Sequence, residues 1–508
     1  MPSRLPSSNE SLRIVANLQT ALTVEQMCVI DNSTVEAAIR RIDDNKMGVA
    51  FVVDSDRRLL GSVTDGDIRR AILDGKLDLL MPVVRVMNAQ PSVLPVGSGA
   101  EVAYSAISAG LREGKSVFPR IDEFKRIQSF SYRENWGLIP IAEPQLRGNE
   151  VRYVLECLES NWISSTGPFV QRFESAFAEY TDLPNPVAVS NGTVAITLAL
   201  QSLGMPHGAE VIVPDCTFAA SANAVVAAGG RPVLANIALD TWGLSPDTVR
   251  EVLGPNTWGV LAVHLYGNPC DIVGLRSLCD ASGLMLVEDC AEAIGTCADG
   301  HHVGHLGDAA AFSFFGNKTL TTGEGGMVFF RDEKHKQLAG VLRDHGMSKN
   351  RRYWHDVVGY NYRMTNLQAA IGLAQTERAH ELVRSKLSNA RAYLAGLEAC
   401  GGVSPMPASP FGDCSYWLVP LLVAEEAIER RDAVMESLGS RGIQTRITFP
   451  SLHEMPAFSG CRGAMDYGNS LAISARGLCL PNSPGMTSDD IAHVVRTLTD
   501  CFASEGPS

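Results

Sequence analysis

The apolar positions change their spacing along the chain, and each change predicts a different element. Near the start, Val35, Ala38, Ile39 and Ile42 recur every three or four residues behind Ser33-Thr-Val-Glu36, a capping-box pattern, and predict a helix. Gly48 then precedes an unbroken apolar run over 49–53, which reads as a buried strand. The turn Asp54-Ser-Asp56 leads to a second strand over 59–63. A helix from Asp67 follows, with Ile68, Ala71 and Ile72 inward. A weaker copy comes later: Glu101, Ala103 and Ile107 echo Glu36, Ala38 and Ile42 at one constant offset, and 116–122 echo 49–54. Such a repeat predicts two units that bury a shared face, here within residues 1–130.

From Asn135 the pattern changes. Short apolar runs at 187–189, 210–213, 232–235, 260–265, 284–287, 309–314 and 327–330 alternate with helical segments. Runs of this kind predict an α/β fold, a mostly parallel sheet with helices on both faces. The last part reads as a small α+β domain. It has a long polar helix pattern over 375–398, a loop at Pro405, Pro407 and Pro410, a strand over 417–423, a helix over 431–440 and a strand over 443–449. Three domains are expected: 1–130, 131–380 and 381–508.

Composition narrows the function. With 508 residues, 45% of them hydrophobic and 19% charged, the chain has ample material for buried cores. Its 43 Lys+Arg against 56 Asp+Glu leave a net charge of −13. An acidic surface without a local basic stripe repels phosphate backbones, so no nucleic-acid partner is expected. No apolar run approaches the roughly 18 residues of a bilayer span, and the start has no apolar stretch for a signal peptide, so no membrane partner is expected. The 12 Cys are scattered without a C-x-x-C pair, which fits free thiols and a cytoplasmic location.

In the head, Gly61-Ser-Val-Thr64-Asp65-Gly66-Asp67 places a hydroxyl and a carboxylate at a helix start, suited to phosphate and ribose hydroxyls. Thr and Asp are equally common as helix caps, so a purely structural role stands beside the binding one. The second copy continues after Asp122 as Glu-Phe-Lys-Arg-Ile-Gln and lacks the segment, so at most one ligand site is expected. These residues resemble a tandem of cystathionine-β-synthase-type (CBS) domains with a degenerate second copy. The resemblance implies an adenine nucleotide at Thr64 and Asp67.

Ligands on open parallel sheets bind beyond the carboxyl ends of the strands. The run at 187–189 ends in Ser190-Asn191-Gly192-Thr193, a small-residue turn opening a helix, whose N–H groups can cradle a phosphate. The run at 284–287 ends in Glu288-Asp289-Cys290-Ala291-Glu292, where Asp289 is either a buried anion facing a cationic ring or a helix cap. The run at 309–314 leads into Phe315-Gly316-Asn317-Lys318, bounded by a glycine-rich loop, a setting for a Schiff-base lysine. A phosphate cradle, an acid and an amine are what pyridoxal 5'-phosphate (PLP) needs.

Ser313-Phe-Phe-Gly-Asn-Lys318-Thr-Leu-Thr-Thr-Gly-Glu-Gly-Gly326, with the segment at 288–292, resembles the fold type I PLP-dependent nucleotide-sugar aminotransferases. Asn161-Trp-Ile-Ser-Ser-Thr-Gly167, Gly359-Tyr-Asn-Tyr-Arg-Met-Thr-Asn366 and Phe449-Pro-Ser-Leu-His-Glu-Met-Pro456 extend the likeness from about Trp136 to the C-terminus. Within the family it is nearest to the branch that aminates carbon 4 of GDP-4-keto-6-deoxymannose with L-glutamate, for surface polysaccharide synthesis.

The resemblance implies that Lys318 binds the cofactor's aldehyde and shuttles the proton, and that Asp289 pairs with the ring nitrogen. It puts Glu292 near the ring hydroxyl, Gly192, Thr193 and Ser313 on the phosphate, and Phe218 against the ring face. Asn361 would reach the phosphate from a second subunit, so a homodimer or higher homo-oligomer is implied. Ser164, Ser165 and His453 are the implied contacts to the GDP-linked keto-sugar; Arg446, in the last predicted strand beside His453, would add positive charge for an anionic nucleotide-sugar.

Read from the residues alone, Phe218 is more simply a core aromatic, whereas for His453 a loop histidine and a substrate contact stand evenly. His301, His302 and His305 lie in a Gly-rich stretch that predicts a hairpin, and adjacent residues on a strand face opposite ways, so no metal is expected. A non-catalytic regulator that keeps the fold and senses a nucleotide through its head is the alternative function. The intact Lys318 and Asp289 weigh against it.

Overall fold

A computed structural model describes residues 23–45, 47–73, 75, 78–96, 117–132, 139–348, 350–424 and 430–503. The chain divides into two compact units, 1–138 and 139–508.

In the first unit, strand Cys28–Ile30 runs parallel to Val49–Val53, which pairs antiparallel with Leu59–Thr64. Helices Val35–Asn45 and Asp65–Leu73 accompany them. The first of these helices starts one residue later than the capping-box reading implies. Thr34, not Ser33, is its cap, accepting the Ala37 N–H at 3.2 Å. The repeat is visible in the backbone. Leu94–Pro95 runs parallel to Val117–Ile121, which pairs antiparallel with Ile127–Tyr132. Both copies turn in the same way. Asp54 accepts the N–H groups of Asp56 and Arg58, and Asp122 those of Phe124 and Arg126. Arg57 and Lys125 occupy matching left-handed positions, at φ 63° and 60°. The copies meet through the Arg58–Arg126 bridge and a Phe51–Phe130 stack at 5.4 Å. The expected second-copy helix, with Glu101, Ala103 and Ile107, lies outside the described residues.

The second unit is built on seven strands: β1 (Pro186–Val189), β2 (Glu210–Pro214), β3 (Arg231–Ala235), β4 (Thr257–Val263), β5 (Met285–Asp289), β6 (Ala309–Ser313) and β7 (Gly326–Phe330). They lie in the order β1-β7-β6-β5-β4-β2-β3. Every pairing is parallel except the two that β7 makes, so only β7 runs against the others. Every strand but the edge β3 is nearly buried throughout, which is why each reads as a continuous apolar run. On one face, Phe169, Phe173 and Phe177 of a helix pack against Phe312 and Phe314. The other face is covered by the helix Gly192–Ser202 around Leu198 and Ala199. β4 ends at Val263, two residues short of the predicted run, because the chain turns at His264 into a tight loop with Tyr266 at φ 55°.

The C-terminal part carries an antiparallel sheet in the order 403–405, 419–423, 477–480, 446–447. Two predictions here are corrected. The single helix over 375–398 is two helices, Asn366–Glu377 and Ala379–Leu397, joined at Arg378, whose guanidinium turns aside to the Gln145 carbonyl. The strand over 443–449 shrinks to Arg446–Ile447, since Phe449 turns away and gives its N–H to the Tyr266 hydroxyl. His301–His302 form the predicted hairpin with Cys297–Ala298. No helix among the described residues is long and apolar enough to cross a membrane. All 12 cysteines are free.

Candidate active site

The carboxyl ends of β1, β5 and β6 converge on one cavity of ≈ 270 Å³. Asn191 caps the helix after β1, its side chain accepting the Val194 N–H at 2.9 Å. The following Gly192 lies so close to β6 that a Cβ there would meet Ser313 Cβ at 2.8 Å. Only glycine lets this turn settle against the strand, with Thr193 beside it on the cavity wall.

Asp289 is the last residue of β5 and 5% exposed. Its carboxylate accepts from the Ser221 hydroxyl at 2.8 Å and the Ala291 N–H at 3.1 Å. Burial pushes its pKa up, against the pull of these two donors and of Lys318. Glu292, three residues on, is equally buried, and burial raises its pKa as well. Lys318 donates to Glu292 Oε1 at 3.2 Å, and the Tyr266 N–H reaches Oε2 at 2.9 Å. The Lys318 amine also lies 3.9 Å from the centroid of the Trp417 ring, a cation–π contact.

The cavity wall brings together Gly192, Thr193, Phe218, Asp289, Glu292, Ser313, Lys318 and Arg446 from the sequence-derived set. Phe218 is 60% exposed there, 5.7 Å from the Phe449 ring, so the simpler reading of a core aromatic fails. Four others are not on the wall. Ser164 and Ser165 lie in the loop before the helix Pro168–Thr181. Asn361 accepts from Arg363 at 3.1 Å. His453 is tied by Nδ1 to buried Asp215 at 2.7 Å and stacks on Tyr467. Ser221, Trp417 and Phe449 line the cavity without having been read from the sequence, and Tyr266 supports it from behind. Each is brought in by folding; Phe449 opens a segment that carries the family resemblance, but nothing in it singled out the ring.

On the opposite side of β5, Glu288 is wholly buried. It accepts from His264 at 3.0 Å and from the N–H groups of Gly304 and Gly307. His264, Glu288 and Cys290 hold donor atoms within 4.8 Å of one another, but the carboxylate is already fully hydrogen-bonded.

Residues 144–499 match the model of the DegT/DnrJ/EryC1/StrS aminotransferase family. The chain belongs to that family. Its members depend on PLP, and this chain is a PLP-dependent aminotransferase. It is 42% identical over 371 residues to the GDP-perosamine synthase of Vibrio cholerae, covering 72% of this chain and 99% of that relative. A GDP-perosamine synthase of Caulobacter vibrioides is 40% identical, with 71% and 97% covered. Among solved structures, the aminotransferase TlmJ from Streptoalloteichus hindustanus superposes with a TM-score of 0.68 at 32% identity, over 72% of this chain and 99% of that one. Residues 24–74 match a CBS domain, which the relatives' coverage leaves outside the shared part.

The residues fit the cofactor of this aminotransferase family. An amine, a buried acid and a turn that tolerates no side chain at Gly192 face the same space. Thr64 and Asp67 of the CBS domain line a separate cavity of ≈ 460 Å³ in the first unit, with Ser62, Arg70 and Asn88. Asp67 accepts from the Thr64 hydroxyl at 2.7 Å and from Arg70 at 2.6 Å.

Proposed function

We propose that the chain transfers an amino group from L-glutamate to carbon 4 of a GDP-linked 4-keto-6-deoxy sugar, giving GDP-perosamine from GDP-4-keto-6-deoxymannose. The observation that carries this reading is that Lys318, Asp289 and the Gly192 turn face one cavity in a chain 38–42% identical to three GDP-perosamine synthases.

When bound, PLP supplies an electron-withdrawing ring that stabilises negative charge at the carbon exchanging its proton. Lys318 is the amine that would hold the cofactor's aldehyde, and as a free amine it would move the exchanged proton. Glu292, which already takes the Lys318 N–H, orients that amine. Asp289 accepts the ring N–H. Burial disfavours its charge while it has only neutral donors, and a cation opposite restores it. Gly192 and Thr193 N–H groups with the Ser313 hydroxyl would hold the phosphate, and Phe218 would lie against the ring. Asn361 serves the phosphate of a neighbouring copy in a homodimer. Arg446, Ser164, Ser165 and His453 contact the nucleotide-sugar. The CBS domain binds an adenine nucleotide at Thr64 and Asp67. The product suits a glycosyl transfer into a surface polysaccharide, and the reaction belongs in the cytoplasm.

The test is to incubate the holoenzyme with glutamate and a panel of 4-keto nucleotide-sugars, after borohydride reduction and peptide mapping of a parallel sample. Amination of the GDP-linked sugar and label on Lys318 are expected. A holoenzyme whose visible absorbance glutamate leaves unchanged counts against the donor, and an unlabelled Lys318 against the whole reading.

A further inference from the structure

A buried amine behind the cavity wall takes no part in the proposed reaction. Lys386, on the helix Ala379–Leu397, is 1% exposed, and the hydrogen bonds of its amine go to main-chain carbonyls: Trp417 O at 3.0 Å and Asn482 O at 2.5 Å. Asn389, one turn further along the helix, gives its amide to Asn482 Oδ1 at 3.1 Å and to Ser483 O at 2.9 Å. Asn482 in turn donates to Tyr416 O at 2.6 Å. Burial, and after it the charge of Lys318, push the Lys386 pKa down to about 7, and an apolar side chain of similar length would pack here at lower cost. Stability is therefore a poor account of this lysine, and geometry a better one.

What the network holds in place is Trp417. Its main chain is gripped from two sides, by Lys386 at the carbonyl and by Tyr266, whose carbonyl accepts the Trp417 N–H at 3.0 Å. Its side chain grips the lysine segment. The indole N–H donates to Asn317 O at 2.7 Å, and the ring lies 3.9 Å from Lys318 Nζ. We infer that Lys386 is a positioning residue for Lys318, acting through Trp417. The inference rests on the reading of Lys318 as the amine that binds the cofactor.

The test is a double-mutant cycle of Lys386→Met and Trp417→Phe in the full-length holoenzyme. Each single variant is expected to lower kcat roughly tenfold while KM for the keto-sugar moves less than about twofold, and the double variant to be no worse than the poorer single. In the apoprotein, the rate at which acetic anhydride labels Lys318, read by peptide mapping, should change about threefold in both singles. Should Lys386→Met not fold, Lys386→Gln, which keeps a donor, takes its place in the same cycle. Two losses that multiply, or an unchanged Lys318 labelling rate in Lys386→Met, overturn the inference. Failure of borohydride to label Lys318 in the unmodified enzyme overturns the proposed function instead, because the labelling cycle in the apoprotein still reads the coupling of Lys386 to Trp417.

Discussion

The head and the body each carry a cavity where a carboxylate stands at or just past the end of a strand, and the two carboxylates are treated in opposite ways. In the head, Asp67 lies at the first turn of a helix and is already satisfied, by the Thr64 hydroxyl and N–H and by Arg70, whose side chain is 71% exposed. Nothing in that arrangement strains for a ligand, and an exposed ion pair of this sort is worth little. In the body, Asp289 is buried with two neutral donors, and burial raises its pKa despite them and the more distant charges of Lys318 and His264. The first site is suited to binding, where contacts are exchanged for water. The second is suited to chemistry, where a buried acid whose charge is only partly offset gains most from a further cation.

The largest expected break in this contrast is Lys318→Ala. Loss of the amine should reduce kcat by at least about a thousandfold and abolish the visible absorbance that glutamate bleaches. Retention of both would remove the basis for treating the body cavity as catalytic.

Asp289→Asn follows, with a loss of about a hundredfold in kcat measured at saturating substrates. The same variant separates charge from shape through stability. The pKa of Asp289 is raised in the folded protein, so its ionisation penalises the folded state, and stability falls as pH rises from the unfolded value, near 4, through the folded one. The apoprotein of Asp289→Asn should therefore be more stable than the unmodified one at pH 7–8, with the gap closing at pH values below both. Denaturant midpoints at several pH values check the sign, and a gap that widens on acidification contradicts the burial argument.

Ser221→Ala is expected to be milder, at most about tenfold. It deletes a hydrogen bond that lowers the Asp289 pKa, so the acid limb of the kcat profile should move to higher pH. A limb that stays in place would mean that Ser221 does not set the charge of Asp289.

The smallest effect on catalysis belongs to the head. Thr64→Val removes the hydroxyl that both caps the helix and bonds Asp67. Titration of the full chain with adenine nucleotides should show at least about tenfold weaker binding. Equal affinity in the variant would leave Thr64 as a cap alone, the bland reading of this turn.

Elements buried on both sides were legible from one-dimensional patterns, because a strand covered on two faces must be apolar at nearly every position. That logic located six of the seven strands within two residues at each end, the exception being β4, and placed Asp289, Ser313 and Lys318 at or just past the ends where ligands collect. It failed where exposure relaxes the pattern. The short edge strand Arg446–Ile447 is solvent-facing, and the break at Arg378 follows from a side-chain contact to Gln145 that no local period encodes.

The residue types in the site (an amine, an acid and a glycine turn) follow from the chain's own order, since each sits beside a recognisable apolar run. Their partners do not. Ser221 on Asp289, the Tyr266 N–H on Glu292, and Trp417 with Lys386 behind Lys318 come from segments separated by tens of residues to about a hundred. Contacts across such separations depend on how sheets and helices pack, and only the folded arrangement brings those groups within hydrogen-bonding reach.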